Sequence, residues 1–328
     1  MSPSLADKLR DSQAEVRKTA LDDVANLEKS EITKELQENL LQVLTDSDPQ
    51  LVVAGLESLG QWAQRKVMPD SVDIMYAVRR SACHDHPRIR SEAAVALVLM
   101  DEPASEATIK LLLKLLDDEH PRVRQEAAAA LGDTKDPTAI PALQARLEDE
   151  DSQTRFEVSF ALASLGNERG LPLLLAETNS SRRRLDALEG IRRLGDPSAL
   201  ETLRTLSTRF FLGWPERLTV YATMYTLGAK EAADYMLERA QTRNKSERSL
   251  AIGLIGTHQV KEAFSLLESM ALDHTHKFQL NAVHAMGELR DSRVPGLLEA
   301  VLANGDNSHE VIAEAKASIA RRQDSTTY

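Results

Sequence analysis

One repeating pattern runs through nearly all 328 residues of this sequence and constrains its fold more than any other feature. The clearest copy starts at Asp118 and reads Asp-Glu-His-Pro-Arg-Val-Arg-Gln-Glu-Ala-Ala-Ala-Ala-Leu-Gly, and a second segment starts at Asp136. An arginine anchors the copies and recurs at intervals of 29 to 38 residues. The anchor positions are Arg17, Val52, Arg90, Arg124, Arg155, Arg184, Arg217, Arg248, Gln279 and Glu310. Ten copies at this period leave no room for a separate globular domain.

Each copy has the pattern of two helices. Pro49, Pro87 and Pro121 mark helix starts, because proline is tolerated in the first turn, where its missing N–H has no partner within the helix. Gly195 marks a helix end, since glycine readily adopts the left-handed conformation of a C-terminal cap. A single pair cannot bury its apolar stripe alone, so neighbouring pairs must stack. The sequence therefore predicts an all-α fold, an α-solenoid of about ten antiparallel helix pairs without strands.

We predict one domain over residues 1–328 with a frayed tail at 323–328. The predicted repeats lie near 4–30, 31–66, 67–103, 104–135, 136–166, 167–195, 196–228, 229–257, 258–290 and 291–322. The second helix of each pair is called the inner helix. Inner helices are predicted near 13–27, 49–64, 87–99, 121–134, 152–165, 181–194, 215–227, 246–256, 277–289 and 308–322.

The pattern Val-Arg-x-x-Ala-x-x-x-Leu-Gly-x-x-x-Asp-Pro-x-Ala-x-Pro-x-Leu resembles the HEAT repeat, particularly the short variety of phycobilisome lyases and many bacterial proteins. The resemblance covers nearly the whole chain and is weaker at both ends, where Val52, Gln279 and Glu310 replace the arginine. It implies that the inner helices line a concave surface and that the repeat arginine forms a structural ladder with aspartates of the turns. The ladder arginines would be Arg90, Arg124, Arg155 and Arg184.

Composition and charge exclude several classes of protein. The sequence has one cysteine, Cys83, and no run of about 18 apolar residues, so neither a disulfide framework nor a membrane-spanning helix is expected. We therefore expect a cytoplasmic protein that does not contact a membrane. The net charge of −11 is uneven, with 18 basic and 28 acidic residues in 1–150 against 22 and 23 in 151–328. The acidic first half argues against wrapping nucleic acid along the whole chain.

The common catalytic motifs are missing from the sequence, which has no phosphate-binding glycine loop, nucleophile elbow or His-Glu-x-x-His. The HEAT-repeat enzyme deoxyhypusine hydroxylase binds two irons through His-Glu dipeptides just after the repeat arginine, but Ser91, Gln125 and Phe156 replace those histidines here. The histidine clusters at residues 83–86 and 274–276 supply too few converging ligands for zinc. We expect no cofactor, no metal and no catalytic residue.

Residues 182–217 contain eight arginines and five acids, which raises the alternative of a nucleic-acid binder. DNA-alkylation-repeat glycosylases build their fold from similar helices and use a basic concave face. The repeat phase divides the arginines of this segment between two helix faces, which weakens the case for a groove. This interpretation is therefore the lesser alternative.

The position after the repeat arginine predicts a binding stripe, because it should face the concavity and yet is apolar in Phe156, Leu185 and Leu218. Six of the 13 aromatic residues also fall within residues 210–235, and interfaces concentrate aromatic and arginine side chains. The cluster can equally fill the core of a longer helix pair, with Phe210 and Tyr235 as the best candidates. The candidate site consists of Phe156, Phe160, Leu185, Leu218, Tyr221, Tyr225 and Trp214, with a basic rim of Arg182, Arg183, Arg192 and Arg193.

These features favour a non-catalytic scaffold or adaptor that binds a protein or peptide on its concave face. The alternative is a bilin-lyase-like or chaperone-like subunit that acts on a client protein. The final helix, at 304–322, presents charged residues outward as a capping repeat should, so we also expect a monomer.

Overall fold

The computed structural model describes residues 4–69 and 71–324. Twenty α-helices and five short 3₁₀ turns occupy this part of the chain, which contains no β-strand. The all-α solenoid predicted from the repeat is therefore confirmed. Residues 325–328 of the tail that was predicted to fray lie outside the described residues, whereas 323 and 324 still belong to the last helix.

The helices alternate between an outer helix, with an odd number, and an inner helix, with an even number. The first ten are α1 (Leu5–Lys8), α2 (Ala14–Ala25), α3 (Lys34–Val43), α4 (Pro49–Gln64), α5 (Val72–Ser81), α6 (Pro87–Met100), α7 (Glu106–Leu115), α8 (Pro121–Asp133), α9 (Ile140–Ala145) and α10 (Ser152–Ser164). The remaining ten are α11 (Leu171–Glu177), α12 (Arg184–Leu194), α13 (Leu200–Ser207), α14 (Trp214–Thr226), α15 (Ala232–Arg239), α16 (Lys245–Thr257), α17 (Phe264–Leu272), α18 (Gln279–Glu288), α19 (Val294–Ala303) and α20 (His309–Asp324).

The helix boundaries follow the signals that predicted them. Pro49 and Pro121 occupy the first helical turn of α4 and α8. The Asp48 carboxylate caps α4 by accepting a hydrogen bond from the Gln50 N–H at 2.9 Å. Gly195 ends α12 with φ 72°, the left-handed conformation that a side chain would disfavour.

The chain divides into two compact units, Met1–Leu173 and Leu174–Tyr328. Each unit has its own cluster of buried apolar side chains. Trp62 is fully buried in the first unit, where its indole N–H donates to the Val24 carbonyl at 2.7 Å. In the second unit, Ile252 and Met286 belong to the buried cluster. Stacked helix pairs thus bury apolar surface that no pair could bury alone.

Within each unit, neighbouring inner helices pack closely through small residues. A Cβ atom added to Gly132 of α8 would lie 2.8 Å from the Ala161 Cα of α10. A Cβ atom on Gly256 of α16 would lie equally close to the Ala285 Cα of α18. The repeat therefore uses glycine opposite alanine to let two inner helices approach each other.

The repeat arginine connects successive turns of the first unit. Arg90 pairs with Asp118 at 2.7 Å and Arg124 pairs with Asp149 at 2.8 Å, as the predicted ladder requires. Arg155 instead donates to the carbonyls of the turn before its own helix, including that of Asp149 at 2.6 Å. Arg184 in the second unit does the same with the Thr178 carbonyl at 2.8 Å. The arginine thus always fixes its own turn, whereas the ion pair forms only where a turn aspartate follows.

Candidate partner-binding surfaces

The structure contradicts part of the predicted apolar stripe. Phe156 is only 3% exposed and Leu218 is fully buried, so neither side chain is available to a partner in this structure. Val53 and Ser91, at the same position of other repeats, are buried as well. Lys18, Leu185 and Leu280, at the same position of other repeats, are exposed. The expectation that this position faces the concavity is therefore wrong for Phe156 and Leu218.

Three successive inner helices of the first unit have a glutamate two residues after the repeat arginine. Glu92, Glu126 and Glu157 lie there on α6, α8 and α10, and all three are partly exposed. One helical residue corresponds to a rotation of about 100°, which is enough to move a side chain from a helix contact to solvent. We call these three glutamates the acidic strip.

Glu92 has an unusual environment within this strip. Desolvation by burial, followed by the negative charges of Glu57 and Glu126, raises the pKa of the Glu92 carboxyl to about 7. Arg122 and Arg88 oppose this shift without cancelling it. Glu92 is therefore close to half-protonated near neutral pH.

Leu185 is the one predicted stripe residue with a largely open side chain. It is 53% exposed at the start of α12, whereas Phe160, Tyr221 and Tyr225 are half-buried. Tyr221 stacks on Tyr235 with ring centroids 4.1 Å apart. The aromatic residues of the predicted stripe are thus mainly packed against neighbouring side chains and only partly exposed to solvent.

Tyr225 is held by a charged neighbour. Its hydroxyl donates to the Glu262 carboxylate at 2.5 Å. Desolvation by burial and this acceptor raise the pKa of Tyr225 to about 12. The phenol therefore stays protonated and acts as a fixed hydrogen-bond donor between α14 and the turn before α17.

Three of the four arginines in the predicted basic rim pair with acids of the same segments. Arg192 and Arg193 both pair with Glu189 on α12, at 2.6 and 3.0 Å. Arg183 pairs with Glu177 at 3.2 Å, while Arg182 is exposed. An arginine that already binds a carboxylate has less net charge and fewer free N–H donors for a ligand. Arg192 and Arg193 therefore do not form the charged rim that the sequence suggested.

The most exposed apolar feature of the second unit is the turn between α13 and α14. Phe210 and Phe211 are 88% and 96% exposed, and their rings meet edge to face with centroids 5.2 Å apart. Leu212 is buried and Trp214 is half-buried below them. The hypothesis that Phe210 fills the core is therefore wrong. Sequence reasoning noted this apolar turn but did not include either phenylalanine in the site.

The described residues contain no group of three or more histidine, cysteine, aspartate or glutamate side chains that could hold a metal ion. His258 is buried, and its Nδ1 lies 2.8 Å from the Thr226 hydroxyl. Desolvation and the nearby charge of Arg192 lower the pKa of His258 to about 4, so its imidazole is neutral at physiological pH.

None of the helices in the described part of the chain combines the length and apolarity that a bilayer span requires.

Comparison with known proteins agrees with this architecture. Residues 109–192 match the sequence profile of HEAT repeats. No curated protein matches the sequence significantly. The fold is similar to the complex of CpcE and CpcF of phycocyanin lyase from Nostoc sp. PCC7120, with a TM-score of 0.52 and 18% identity over 72% of this chain and 96% of that chain.

The folds of importin beta and Kap95p are also similar to this chain, at lower sequence identity. Importin beta is similar with a TM-score of 0.54 and 10% identity over 96% of this chain, which spans 51% of the importin chain. Kap95p, solved with RanGDP, is similar with a TM-score of 0.53 and 10% identity over 96% of this chain and 56% of that chain. At such identities the likeness shows the fold alone. The chain is therefore an all-α solenoid, and its residues 109–192 match HEAT repeats.

Proposed function

We propose that this chain is a non-catalytic HEAT-repeat scaffold or adaptor that binds a protein or peptide partner. The observation that carries the proposal is the exposed aromatic pair Phe210 and Phe211. Two phenylalanines that contact chiefly each other in solvent are costly for a monomer, and large exposed apolar groups commonly mark interaction sites. Aromatic side chains also contribute strongly to the binding energy of protein interfaces.

The repeat architecture supports the same proposal. Stacked helix pairs add contact surface without new topology, which suits a binding platform. The CpcE–CpcF complex and the Kap95p–RanGDP complex are both assemblies of a similar solenoid with another protein. Leu185 and the half-exposed Tyr221 and Tyr225 provide a further contact area on the inner helices of the same unit. We place this role in the cytoplasm, where the exposed thiol of Cys83 would stay reduced.

Affinity capture from the source cells, followed by mass spectrometry, tests the proposal. The wild-type chain should retain a specific protein that the double variant Phe210→Ser/Phe211→Ser loses. A matched control, Val72→Ser/Tyr76→Ser, removes another pair of exposed apolar side chains, on α5, and should retain the partner. Equal capture by all three proteins would contradict a role of the aromatic pair, and capture of nothing specific would contradict the scaffold proposal.

A lyase-type or chaperone-like subunit is the second candidate, because the match to the CpcE–CpcF structure extends over 96% of that chain. Such a subunit would present a tetrapyrrole to its client protein. Adding a bilin to the purified chain should then change the visible absorbance spectrum of the pigment. An unchanged spectrum, with capture of a partner that carries no pigment, would leave the scaffold as the better description.

A further inference from the structure

The ladder of the first unit shows how this fold binds a carboxylate. Arg90 Nε and Nη2 each lie 2.7 Å from an oxygen of Asp118, and Arg124 grips Asp149 in the same bidentate way at 2.9 and 2.8 Å. Each aspartate lies six residues before the arginine of the next repeat. This arrangement combines two charge-assisted hydrogen bonds with a fixed geometry.

The second unit lacks that carboxylate at two consecutive steps. The residue six positions before Arg217 is Phe211, and the residue six positions before Arg248 is Thr242. Arg184 and Arg217 therefore have no ladder aspartate to bind. Phe211 projects into solvent, so its ring does not take the place of the carboxylate.

Backbone carbonyls take up part of the hydrogen-bonding capacity of these two arginines. Arg217 Nη2 donates to the carbonyls of Arg209 and Leu212 at 2.8 and 3.1 Å, and its buried Nε has no hydrogen-bond partner among the described residues. Arg184 donates to a carbonyl through Nε, and its nearest carboxylate is that of Glu216 at 3.9 Å. Neither guanidinium has the bidentate partner that Arg90 and Arg124 have.

Three turns of the second unit form what we call the basic edge, residues 178–184, 209–217 and 241–248. They contain eight basic and two acidic residues, a net charge of +6 in a chain of net charge −11. The corresponding turns of the first unit are 11–17, 46–52, 84–90, 118–124 and 149–155, with ten acidic and six basic residues, a net charge of −4. The charge of the basic edge is therefore opposite in sign to that of the turns in the first unit.

The first two turns of the basic edge are in direct contact, and the second of them contains the aromatic pair. Arg209 Nη1 donates to the Asn179 side chain at 2.6 Å, which joins the first two turns. The helices that follow the second and third turns, α14 and α16, contribute to one buried cluster. Phe210 and Phe211 belong to the middle turn, which also contains Arg209 and Arg217.

We propose that the basic edge binds an acidic segment of the partner, in which carboxylate side chains flank an apolar residue. The carboxylates would supply in trans the ladder contacts that Arg184 and Arg217 lack, and the apolar residue would pack on Phe210 and Phe211. The inference rests on the proposed scaffold function and names the chemistry of its partner. Opposite charges steer such a segment to the edge and fix its register.

A protein carboxylate fits this edge better than a nucleic acid does. The Arg184 side chain is only 14% exposed, so a single side-chain carboxylate reaches it more readily than a bulky phosphate backbone. The chain already binds carboxylates in this geometry at Arg90 and Arg124.

Fluorescence anisotropy with a defined probe tests the proposal on the full chain. The probe is a labelled peptide of alternating glutamate and leucine, with a glutamine–leucine peptide as its uncharged match. The wild-type chain should bind the acidic peptide at least about tenfold more tightly, and added salt should weaken the binding. Arg182→Gln/Arg209→Gln should lose about tenfold in affinity, whereas Arg88→Gln/Arg122→Gln, from the first unit, should not.

A second variant separates binding from folding. Phe211→Asp/Thr242→Asp restores the missing ladder carboxylates, so it should hold or raise the melting temperature while it abolishes binding of the acidic peptide. Equal binding of the two peptides, or unchanged binding by this variant, would overturn the proposal. So would tighter binding of a thymidine oligonucleotide, or salt-sensitive self-association that competes with the peptide. If the wild-type chain captures a partner but does not bind the acidic peptide, only the acidic-segment inference is refuted. If it binds the peptide but captures no partner, the scaffold role is refuted.

Discussion

At the scale of single residues, Glu92 links the acidic strip to a pH dependence of stability. Its folded-state pKa of about 7 lies above the ordinary value of 4.5, so the folded chain holds this proton more tightly than the unfolded chain. The stabilising contribution is fully present below about pH 4.5 and is lost as the pH rises through about 7. Glu92→Gln should therefore raise the free energy of unfolding at pH 8 by on the order of 1 kcal/mol, after allowance for solvent screening, and change it little at pH 5.

Thermal unfolding followed by circular dichroism at the two pH values measures this effect. Glu148→Gln provides the control, because Glu148 is an exposed glutamate outside the strip. A stabilisation that is the same at pH 5 and pH 8 would show that Glu92 acts through packing rather than through its charge.

The ladder ion pair gives a second prediction for single residues. Asp149 and Arg124 are almost completely buried, so Arg124→Met would leave a carboxylate without its main partner. We expect a loss of about 3 kcal/mol in the free energy of unfolding, since an uncompensated buried charge is strongly destabilising. The double variant Arg124→Met/Asp149→Leu should recover most of that loss. Denaturant unfolding of the single and double variants measures both values, and equal stability of the two would contradict this account.

The candidate site shows where sequence reasoning about single residues reaches its limit. The repeat identified the inner helices, but it did not show that Phe156 and Leu218 are buried whereas Leu185, at the same position of its repeat, is exposed. Phe211 was missed because the repeat pattern does not describe the side chains of the turns, and its 96% exposure follows from the tertiary position of the turn. Local periodicity does not contain that information.

At the scale of helices, boundaries were predicted well where a cap residue was visible in the sequence. The inner helix expected at 49–64 is α4 (Pro49–Gln64), and that expected at 87–99 is α6 (Pro87–Met100). The helix expected from 181 begins only at Arg184, because the turn before it has neither a proline nor a side chain that caps its N-terminus. The start of a helix can thus be predicted from the sequence where a proline or a capping residue marks it.

The close approach of inner helices gives a prediction at the same scale. Gly132→Ala would place a methyl group against the α10 backbone at Ala161, so α8 and α10 would have to separate. The expected cost is about 1–3 kcal/mol in the free energy of unfolding, as for other overpacked contacts. Gly256→Ala should cost a similar amount at Ala285 in the second unit.

Gly253 provides a matched control for both glycine variants. It lies on the inner helix α16 with no atom within 4 Å of an added Cβ, so Gly253→Ala should be neutral or stabilising by up to about 1 kcal/mol through helix propensity. Chemical denaturation of the three variants measures the difference. A Gly132→Ala variant as stable as Gly253→Ala would mean that the helices do not depend on this close contact.

At the scale of the whole molecule, the repeat predicted the class of fold and the pairing of helices because each pair contacts chiefly its neighbours. It did not predict the two separate buried clusters, one drawn from residues 6–162 and the other from residues 218–315. The anchor positions continue through the boundary at intervals of 29 and 33 residues, so nothing in the period marks it. A regular repeat therefore does not show where one buried cluster ends and the next begins.

The exposed face of α20 gives the last prediction, which concerns the oligomeric state. This helix buries Val311 and Ala315 and exposes Lys316 and Arg321. Charged side chains on its exposed face oppose stacking of a second copy there, so we expect sedimentation equilibrium of this chain to give a monomer of 36.3 kDa. Lys316→Leu/Arg321→Leu removes two charges beside the half-buried Ile319 and should produce reversible self-association.

A control for this end variant keeps the change in charge but moves it away from the end. Lys110→Leu/Arg204→Leu, on the exposed sides of α7 and α13, should stay monomeric. If the wild-type chain sediments as a dimer at every concentration, the charges on α20 do not act as a cap. If both double variants associate equally, general loss of charge rather than the exposed end governs association, because the net charge then sets solubility without regard to position.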